Sequence, residues 1–384
     1  MAKISKKIFS VFISCLFYFS HTDYFNKINA LNSINSENYN QDSLEFYNKE
    51  NSESNKIKNW VIGLAAGYAS LNILSRALTQ IALFFGAFQT VNKNNSINYD
   101  NQIVSEEILE NINDESVIIG KKYWCNNNSN SSLKNINVVF FNGNGGSVLN
   151  DEMHLGPDGK LVYLIKKGAT VYTIDYTGYG NRKKFFGPFA MSENSIFKDG
   201  EDIFNYVLNE SVNKKIIIYG YSLGGQVAMH VWRYIQENNL ENKLAGVILH
   251  SPLNNFNKVA GKIFKPLEYL LNLMLINLNK FREFEKLKAT KVPSYWYSGY
   301  TEDSSEFVDL KTTICGDSDY NISKEEAIEI IINKLKEKNI ENAHVVMNKI
   351  SHMGNYSIIS DKKEEQYEIN EFKKFIQKIA DANA

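Results

Sequence analysis

The stretch IIIYGYSLGG, from Ile216 to Gly225, decides most of what the sequence predicts about the fold. Its first four residues are typical of a buried strand, and residues 226–236 have the pattern of a helix. Between them lies a Gly-x-Ser-x-Gly pattern centred on Ser222, which also occurs by chance in ordinary turns. A strand that enters this pattern and leaves as a helix favours a nucleophile elbow. We therefore expect a strained Ser222, flanked by glycines because a Cβ there would collide with the tight backbone crossing.

The sequence after residue 100 alternates between segments typical of strands and segments typical of helices. Strands are predicted at 137–141, 170–175, 215–219, 244–250, 312–315 and 344–348, and further helices at 161–167, 195–209 and 325–338. This alternation predicts a mostly parallel sheet with helices on both faces. Ligands of such sheets bind beyond the carboxyl ends of the strands, which is where the motifs of this chain lie.

A histidine is the expected general base, because a neutral imidazole can accept the serine proton at neutral pH. The chain has six histidines. In folds with a nucleophile elbow, the order along the chain is serine, acid, histidine. His352 follows the last predicted strand and satisfies this order from a loop. His230 lies inside the helix after the serine and is expected to point along it, and His344, inside a strand, is expected to be structural.

The carboxylate that orients the imidazole has candidates in two loops. Asp319 and Asp317 follow the strand predicted just before them, and Asp319 is preferred because a helix-sized gap separates it from the last strand. Residues 294–299, after Lys-Val-Pro, also resemble a strand that enters an acid loop. That alternative would nominate Asp303 or Glu302.

The oxyanion of an acyl-transfer intermediate needs backbone N–H donors. Leu223, directly after the serine, is expected to provide one. The other is expected from the glycine-rich loop NGNGG at 142–146, through the amide of Asn144 or Gly145. The loop is also compatible with a generic tight turn. It lacks the Gly-Lys-Ser/Thr ending of a nucleotide-binding P-loop.

These motifs together resemble the α/β-hydrolase superfamily, and within it the branch of membrane-anchored lysophospholipid lipases and protein depalmitoylases. The matching stretches are FFNGNGG at 140–146, DYTGYG at 175–180, Gly187-Pro188 with Ser192-Glu193, GYSLGG at 220–225, the run from Gly316 to Asp319, and His352. The resemblance covers roughly residues 137 to 375. The chain departs from the family at Asn142, where histidine is usual, and in an extra stretch at about 300–309.

The resemblance implies an α/β-hydrolase fold with a mostly parallel central sheet, helices on both faces and a small helical cap at about 253–290. It also implies a serine hydrolase that cleaves a lipid or acyl-protein ester or thioester through an acyl-enzyme. Ser222, His352 and Asp319 would form its triad, with no organic cofactor and no metal. An apolar helix within the cap region suits an acyl chain. A peptidase of the same fold and a non-catalytic binding module are the alternatives.

The composition narrows the classes of partner. The net charge is −1, and no basic block is present, which argues against a nucleic-acid partner. Three cysteines do not make a disulfide framework, so the fold must rest on its core.

The sequence of residues 1–92 predicts a targeting segment and contact with a membrane. Residues 1–22 have a basic start and a short apolar core, as in a signal peptide or signal anchor, and 23–58 read as an Asn-rich linker. Residues 59–92 form an apolar helical segment before the hydrolase domain at 100–384. Its stretch 60–88 is long enough to span a bilayer core as a helix. A stripe of polar residues along one side suits instead a helix that lies at a membrane interface or one that packs on protein. We expect a secreted or membrane-associated protein.

Overall fold

The computed structural model describes residues 59, 62–63, 66–67, 70, 102–126, 131–144, 147, 159–182, 191–210, 213–252, 282–299, 324–348 and 363–383. The chain divides into two compact units, Met1–Ala69 and Ser70–Ala384. The described residues of the first unit are all helical. In the part of the chain just given, no helix is long and apolar enough to cross a bilayer. The expected signal segment 1–22, the linker 23–58 and most of 60–88 lie outside the described residues.

Among the described residues of the second unit, eight strands form one sheet. Its strands are β1 (Ile103–Ile112), β2 (Glu115–Cys125), β3 (Ile136–Phe141), β4 (Thr170–Ile174), β5 (Lys215–Tyr221), β6 (Leu244–His250), β7 (Ser294–Gly299) and β8 (Ala343–Asn348). They lie in the order β1-β2-β4-β3-β5-β6-β7-β8. β2 runs antiparallel to β1 and β4, and the pairs from β4 to β8 are parallel.

Helices cover both faces of this sheet. They are α1 (Lys160–Lys166), α2 (Glu193–Glu210), α3 (Leu223–Glu237), α4 (Glu283–Lys286), α5 (Lys324–Glu337) and α6 (Lys363–Ala382). α2, α3, α4 and α5 share one hydrophobic core with the sheet, whereas α1 and α6 share the other. This is the mostly parallel, doubly covered architecture that the alternating sequence pattern predicts.

The central strand β5 is apolar at successive positions because both of its faces are buried. Ile216 and Ile218 belong to one core, and Ile217 and Tyr219 belong to the other. A strand buried on both faces needs an apolar side chain on each side, and so it loses the usual alternation with polar residues. The prediction of a buried strand before Ser222 is therefore confirmed.

The first two strands were not predicted, because their sequences are rich in charged residues. They form a hairpin in which Ile112 pairs with Glu115. The two residues between them, Asn113 and Asp114, have φ values of 51° and 64°. Positive φ at both central residues defines a type I′ turn, for which Asn and Asp are favoured. This Asn-Asp pair is the signal that could have revealed the hairpin.

Candidate active site

Ser222 lies between the last residue of β5 and the first residue of α3. Its backbone has φ 53° and ψ −117°, a conformation that residues with a side chain rarely adopt. The Ser222 N–H donates to the His250 carbonyl at 2.9 Å, and the Ser222 carbonyl accepts from the Gly225 N–H at 2.9 Å. The strained turn expected from the sequence is thus present and is held by backbone hydrogen bonds on both sides. Although Ser222 occupies the N-cap position, its hydroxyl makes no capping bond to α3.

The glycines around Ser222 are required by space. A Cβ at Gly224 would lie 2.0 Å from the Phe141 carbonyl oxygen, and one at Gly220 would lie 2.3 Å from the Gly224 carbonyl oxygen. Both contacts are with backbone, which cannot move aside as a side chain can. The expectation that a Cβ would collide at these two positions is confirmed. Because α3 begins at Leu223, its first turn also contains the two glycines that sequence propensity placed before the helix.

The glycine-rich loop after β3 lies directly against the candidate nucleophile. A Cβ at Gly143 would be 3.2 Å from the Ser222 Cβ and 2.8 Å from the Tyr221 ring. Asn142 is buried, whereas Asn144 is exposed. The structure therefore brings Ser222 and Gly143 of the loop together. The oxyanion roles of Leu223 and Asn144 stay predictions. Gly145 lies outside the described residues.

The N-terminus of α3 favours negative charge beside Ser222. The helix has 15 residues, and its first N–H groups have no partners within the helix itself. Aligned peptide dipoles give such an end a partial positive charge. Leu223, the first residue of α3, is buried at this position. An oxyanion formed on a substrate at Ser222 would therefore face a positive electrostatic environment.

The predicted base and acid lie on segments outside the described residues. His352 falls between β8, which ends at Asn348, and α6, which begins at Lys363. Asp319, Asp317, Asp303 and Glu302 fall between β7 and α5. The cap residues 253–281 are likewise outside the described part. The assignments of His352 and Asp319 therefore stay predictions.

Strand β7 lies directly before the segment that contains the acid candidates. Residues 294–299 form a strand between β6 and β8 and pair in parallel with both. The alternative strand considered from the sequence is therefore real, and the segment after it carries all four acid candidates. The strand predicted at 312–315 lies outside the described residues.

Two other histidines are in contact with side chains of neighbouring elements, and a structural role was expected for His344. His230 in α3 lies between two carboxylates, with Nε2 2.8 Å from Glu201 and Nδ1 3.2 Å from Glu283. His344 in β8 stacks on Tyr295, and its Nε2 is 2.9 Å from Glu371. Each imidazole is thus engaged by side chains of packed elements, in agreement with a structural role.

His250 supports the elbow in a way that sequence reasoning missed. It ends β6 in register with Tyr221 on β5 and Tyr297 on β7. The Tyr219 hydroxyl is 3.2 Å from His250 Nδ1, and the Tyr297 ring packs edge-on against the imidazole with centroids 4.6 Å apart. Burial raises the pKa of Tyr219 well above its usual range, so this hydroxyl stays neutral. The buried layer fixes the carbonyl that binds the Ser222 N–H.

Among the residues that the structure describes, there is no group of three or more His, Cys, Asp or Glu side chains that could hold a metal ion.

Comparison with known proteins finds similarity in the middle of the chain to a family of hydrolases. A family model described as "Serine aminopeptidase, S33" matches residues 160–304, which is less than half of the chain. The multifunctional-autoprocessing repeats-in-toxin protein of Vibrio cholerae serotype O1 is 28% identical over 123 residues. That match covers 32% of this chain and 2% of the length of the toxin.

Two solved structures illustrate the similarity in three dimensions. A structure from a study of two prolyl endopeptidases has a TM-score of 0.49 at 13% identity, and covers 73% of this chain and 39% of its own. A fungal esterase from Rhizomucor miehei has a TM-score of 0.48 at 14% identity, and covers 79% of this chain and 92% of its own.

Proposed function

We propose that this chain, whose fold is that of the α/β-hydrolases, is a serine hydrolase that cleaves a carboxylic ester or thioester through an acyl-enzyme. The observation that carries the proposal is the strained Ser222 at the head of α3, lying against the glycine loop at Gly143. A left-handed serine backbone is tolerated where the surroundings enforce it, and such strain concentrates at functional sites.

The proposed reaction has two steps. The Ser222 oxygen attacks the acyl carbon while His352 accepts the hydroxyl proton and then passes it to the departing alcohol or thiol. Water, deprotonated by the same imidazole, then releases the acid and regenerates the serine. Asp319 would hold the imidazole in the required tautomer. The amides of Leu223 and of Asn144 or Gly145 would stabilise the oxyanion in both steps.

The proposed substrate is a lipid or acyl-protein acyl group. It is supported by the apolar sequence of the cap region and by the resemblance to lipases and depalmitoylases. The similarity of residues 160–304 to a serine aminopeptidase model favours a peptide as the second candidate. A secreted or membrane-associated location, with membrane contact through residues 60–88, accompanies the proposal and rests on the N-terminal sequence.

A fluorophosphonate probe tests the nucleophile without knowledge of the substrate. We expect the wild-type chain to be labelled and the Ser222→Ala variant to remain unlabelled. Ser251, a buried serine at the end of β6, provides the matched control, and its alanine variant should be labelled like the wild type. An unlabelled wild-type protein, or equal labelling of Ser222→Ala, contradicts the proposal.

The acid is tested by a series of isosteric variants. Replacing the orienting aspartate by asparagine should lower kcat by up to about 10⁴-fold, because the imidazole then adopts the wrong tautomer. We expect this loss for Asp319→Asn and near-wild-type rates for Asp317→Asn, Asp303→Asn and Glu302→Gln. A large loss confined to either of the last two would move the acid to the start of the loop after β7.

The substrate class is tested by parallel panels of acyl esters, acyl thioesters and N-terminal amino-acid amides of matched length. Higher kcat/KM on the esters or thioesters is the expected result. Preference for the amides would favour the aminopeptidase alternative. A labelled serine without turnover on any panel would favour the non-catalytic binding module.

A further inference from the structure

The loop DYTGYG, from Asp175 to Gly180, follows β4 and has no role in the proposed triad. Its centre is a tight turn in which the Tyr179 N–H donates to the Tyr176 carbonyl at 2.8 Å. Gly178 has a φ of 84°, the positive value that a type II turn requires at its third position. The turn places two tyrosines at its ends, and both are almost fully buried.

A buried polar cluster holds this turn rigidly. The Asp199 carboxylate accepts from the Thr177 N–H at 2.6 Å and from the Thr177 hydroxyl at 3.0 Å. Arg182 donates to Asp199 at 2.7 Å and to the Asp175 carbonyl at 3.2 Å. Charge-assisted bonds of this kind are shorter and stronger than neutral ones. The turn is therefore a fixed platform next to the active site.

Both tyrosine hydroxyls of the turn reach the glycine-rich loop. The Tyr176 hydroxyl donates to the Asn142 carbonyl at 2.9 Å, and the Tyr179 hydroxyl donates to Asn144 Oδ1 at 2.9 Å. Their rings pack edge-to-face with centroids 5.6 Å apart. The two hydrogen bonds thus bracket Gly143, the residue that lies against Ser222.

These bonds control where the loop amides point. The carbonyl of Asn142 and the N–H of Gly143 belong to one planar peptide, so fixing one direction fixes the other. Asn142 Nδ2 is buried without a hydrogen-bond partner in the described part of the chain, so the Asn142 amide group does not secure the loop by donation. Gly143 has no side chain. The anchoring side-chain bonds seen at 142–144 therefore come from the tyrosines.

We propose that Tyr176 and Tyr179 are positioning residues that preorganise the oxyanion loop for Ser222. Each hydroxyl would act through its hydrogen bond to the loop that is proposed to supply the second oxyanion donor. Preorganised donors contribute to catalysis because they need not reorient when charge develops. The inference rests on the proposed hydrolase function.

The test measures the rate of fluorophosphonate labelling and the turnover of a short acyl ester for Tyr176→Phe, Tyr179→Phe and the double variant. Phenylalanine keeps the ring and removes the hydrogen bond. We expect Tyr176→Phe to slow both reactions about 10- to 100-fold, less than the full loss of one donor. KM should change by less than about threefold, because the defect lies in the stabilisation of the transition state. The double variant should lose less than the product of the two single losses, since both act on one loop.

Tyr172→Phe is the matched control. Tyr172 is a buried tyrosine of β4 whose hydroxyl donates to Glu210 in α2 at 2.8 Å. Its variant should lose a comparable amount of stability and keep wild-type labelling. If the wild type is labelled but Tyr176→Phe and Tyr179→Phe react as fast as Tyr172→Phe, this inference is overturned and the proposed function is not. A wild type that does not label overturns the proposed function and this inference with it.

Discussion

The backbone of Ser222 lies in a region that glycine enters without strain. A residue with a Cβ held there costs about 1–3 kcal/mol. The strain persists because His250 and Gly225 bind the Ser222 backbone from both sides. The Ser222 side chain is thereby positioned at the expense of stability, a trade-off that is common at catalytic sites.

Replacing Ser222 by glycine should remove this strain. We expect Ser222→Gly to unfold with a free energy about 1 kcal/mol higher than Ser222→Ala, after allowance for the greater freedom of glycine in the unfolded chain. Urea denaturation of the two inactive variants measures the difference. A Gly variant no more stable than the Ala variant would mean that the turn is not strained.

Gly224 gives a second prediction at the residue scale. Because its Cβ would meet the Phe141 carbonyl oxygen at 2.0 Å, Gly224→Ala should destabilise the protein by more than about 3 kcal/mol. Gly246 is the comparison, since its nearest contact is the terminal Cδ1 of Ile379 at 2.6 Å, which can rotate away. Gly246→Ala should cost clearly less in chemical denaturation. The reverse order would contradict the backbone contact.

At the scale of elements, α4 is held to α3 by a buried carboxylate. The Glu283 carboxylate accepts hydrogen bonds from Arg233 at 2.9 Å and from Lys286 at 2.6 Å, and its Oε2 lies 3.2 Å from His230 Nδ1. Burial by itself raises the pKa of Glu283, but the contacts with His230, Lys286 and Arg233 outweigh it and lower the pKa to about 2. The contacts between Glu283 in α4 and its partners in α3 therefore stabilise the fold while Glu283 is ionised.

The stability from Glu283 should depend on pH in the acid range. The pKa in the folded state lies below the ordinary value of 4.5, so the contribution is present above 4.5 and is lost as pH falls towards about 2. The difference corresponds to at most about 3 kcal/mol. Glu283→Gln should therefore show a shallower loss of unfolding free energy between pH 6 and pH 2 than the wild type. Glu285→Gln, an exposed change in the same helix, should follow the wild type.

The elements themselves were largely predictable. The helices at 160–166, 193–210 and 324–337 and the strands β3, β4, β5, β6 and β8 agree with the sequence patterns within a few residues. Their periodicity is local, so a short window contains the signal. The hairpin of β1 and β2 was missed, because its Glu- and Lys-rich strands lack a clean alternation. The strand at 294–299 was recognised only as an alternative, because short apolar runs are ambiguous.

At the scale of the whole molecule, a buried ion pair joins distant parts of the second unit. Lys160, the first residue of α1, is 2.7 Å from Glu368 in α6, and both side chains are almost completely buried. The Tyr295 hydroxyl of β7 also donates to Glu368 at 3.2 Å. Burial lowers the pKa of Lys160, although the neighbouring Glu368 opposes this by stabilising the ammonium. The pair ties the helix after the oxyanion loop to the helix after the His352 segment.

Removing one partner of this pair should leave an uncompensated charge in the core. We expect Lys160→Met to reduce the unfolding free energy by about 3–5 kcal/mol, and the double variant Lys160→Met/Glu368→Gln to recover much of that loss. Disruption of the exposed Lys198–Asp202 pair should change stability by less than about 1 kcal/mol. If the losses of stability from Lys160→Met and Glu368→Gln simply add, the two side chains do not stabilise each other.

The sequence by itself determined that the chain is an α/β protein with a tight strand-to-helix turn at Ser222, because strand and helix periodicity and the Gly-x-Ser-x-Gly pattern are properties of contiguous residues. It also nominated the glycine loop and, as predictions still to be tested, His352 and Asp319. Only the tertiary structure decided that Tyr176 and Tyr179 secure that loop and that Lys160 meets Glu368. These partners are 34, 35 and 208 residues apart along the chain. Their contacts depend on strand order and helix packing, and the identity of either residue alone does not specify its partner.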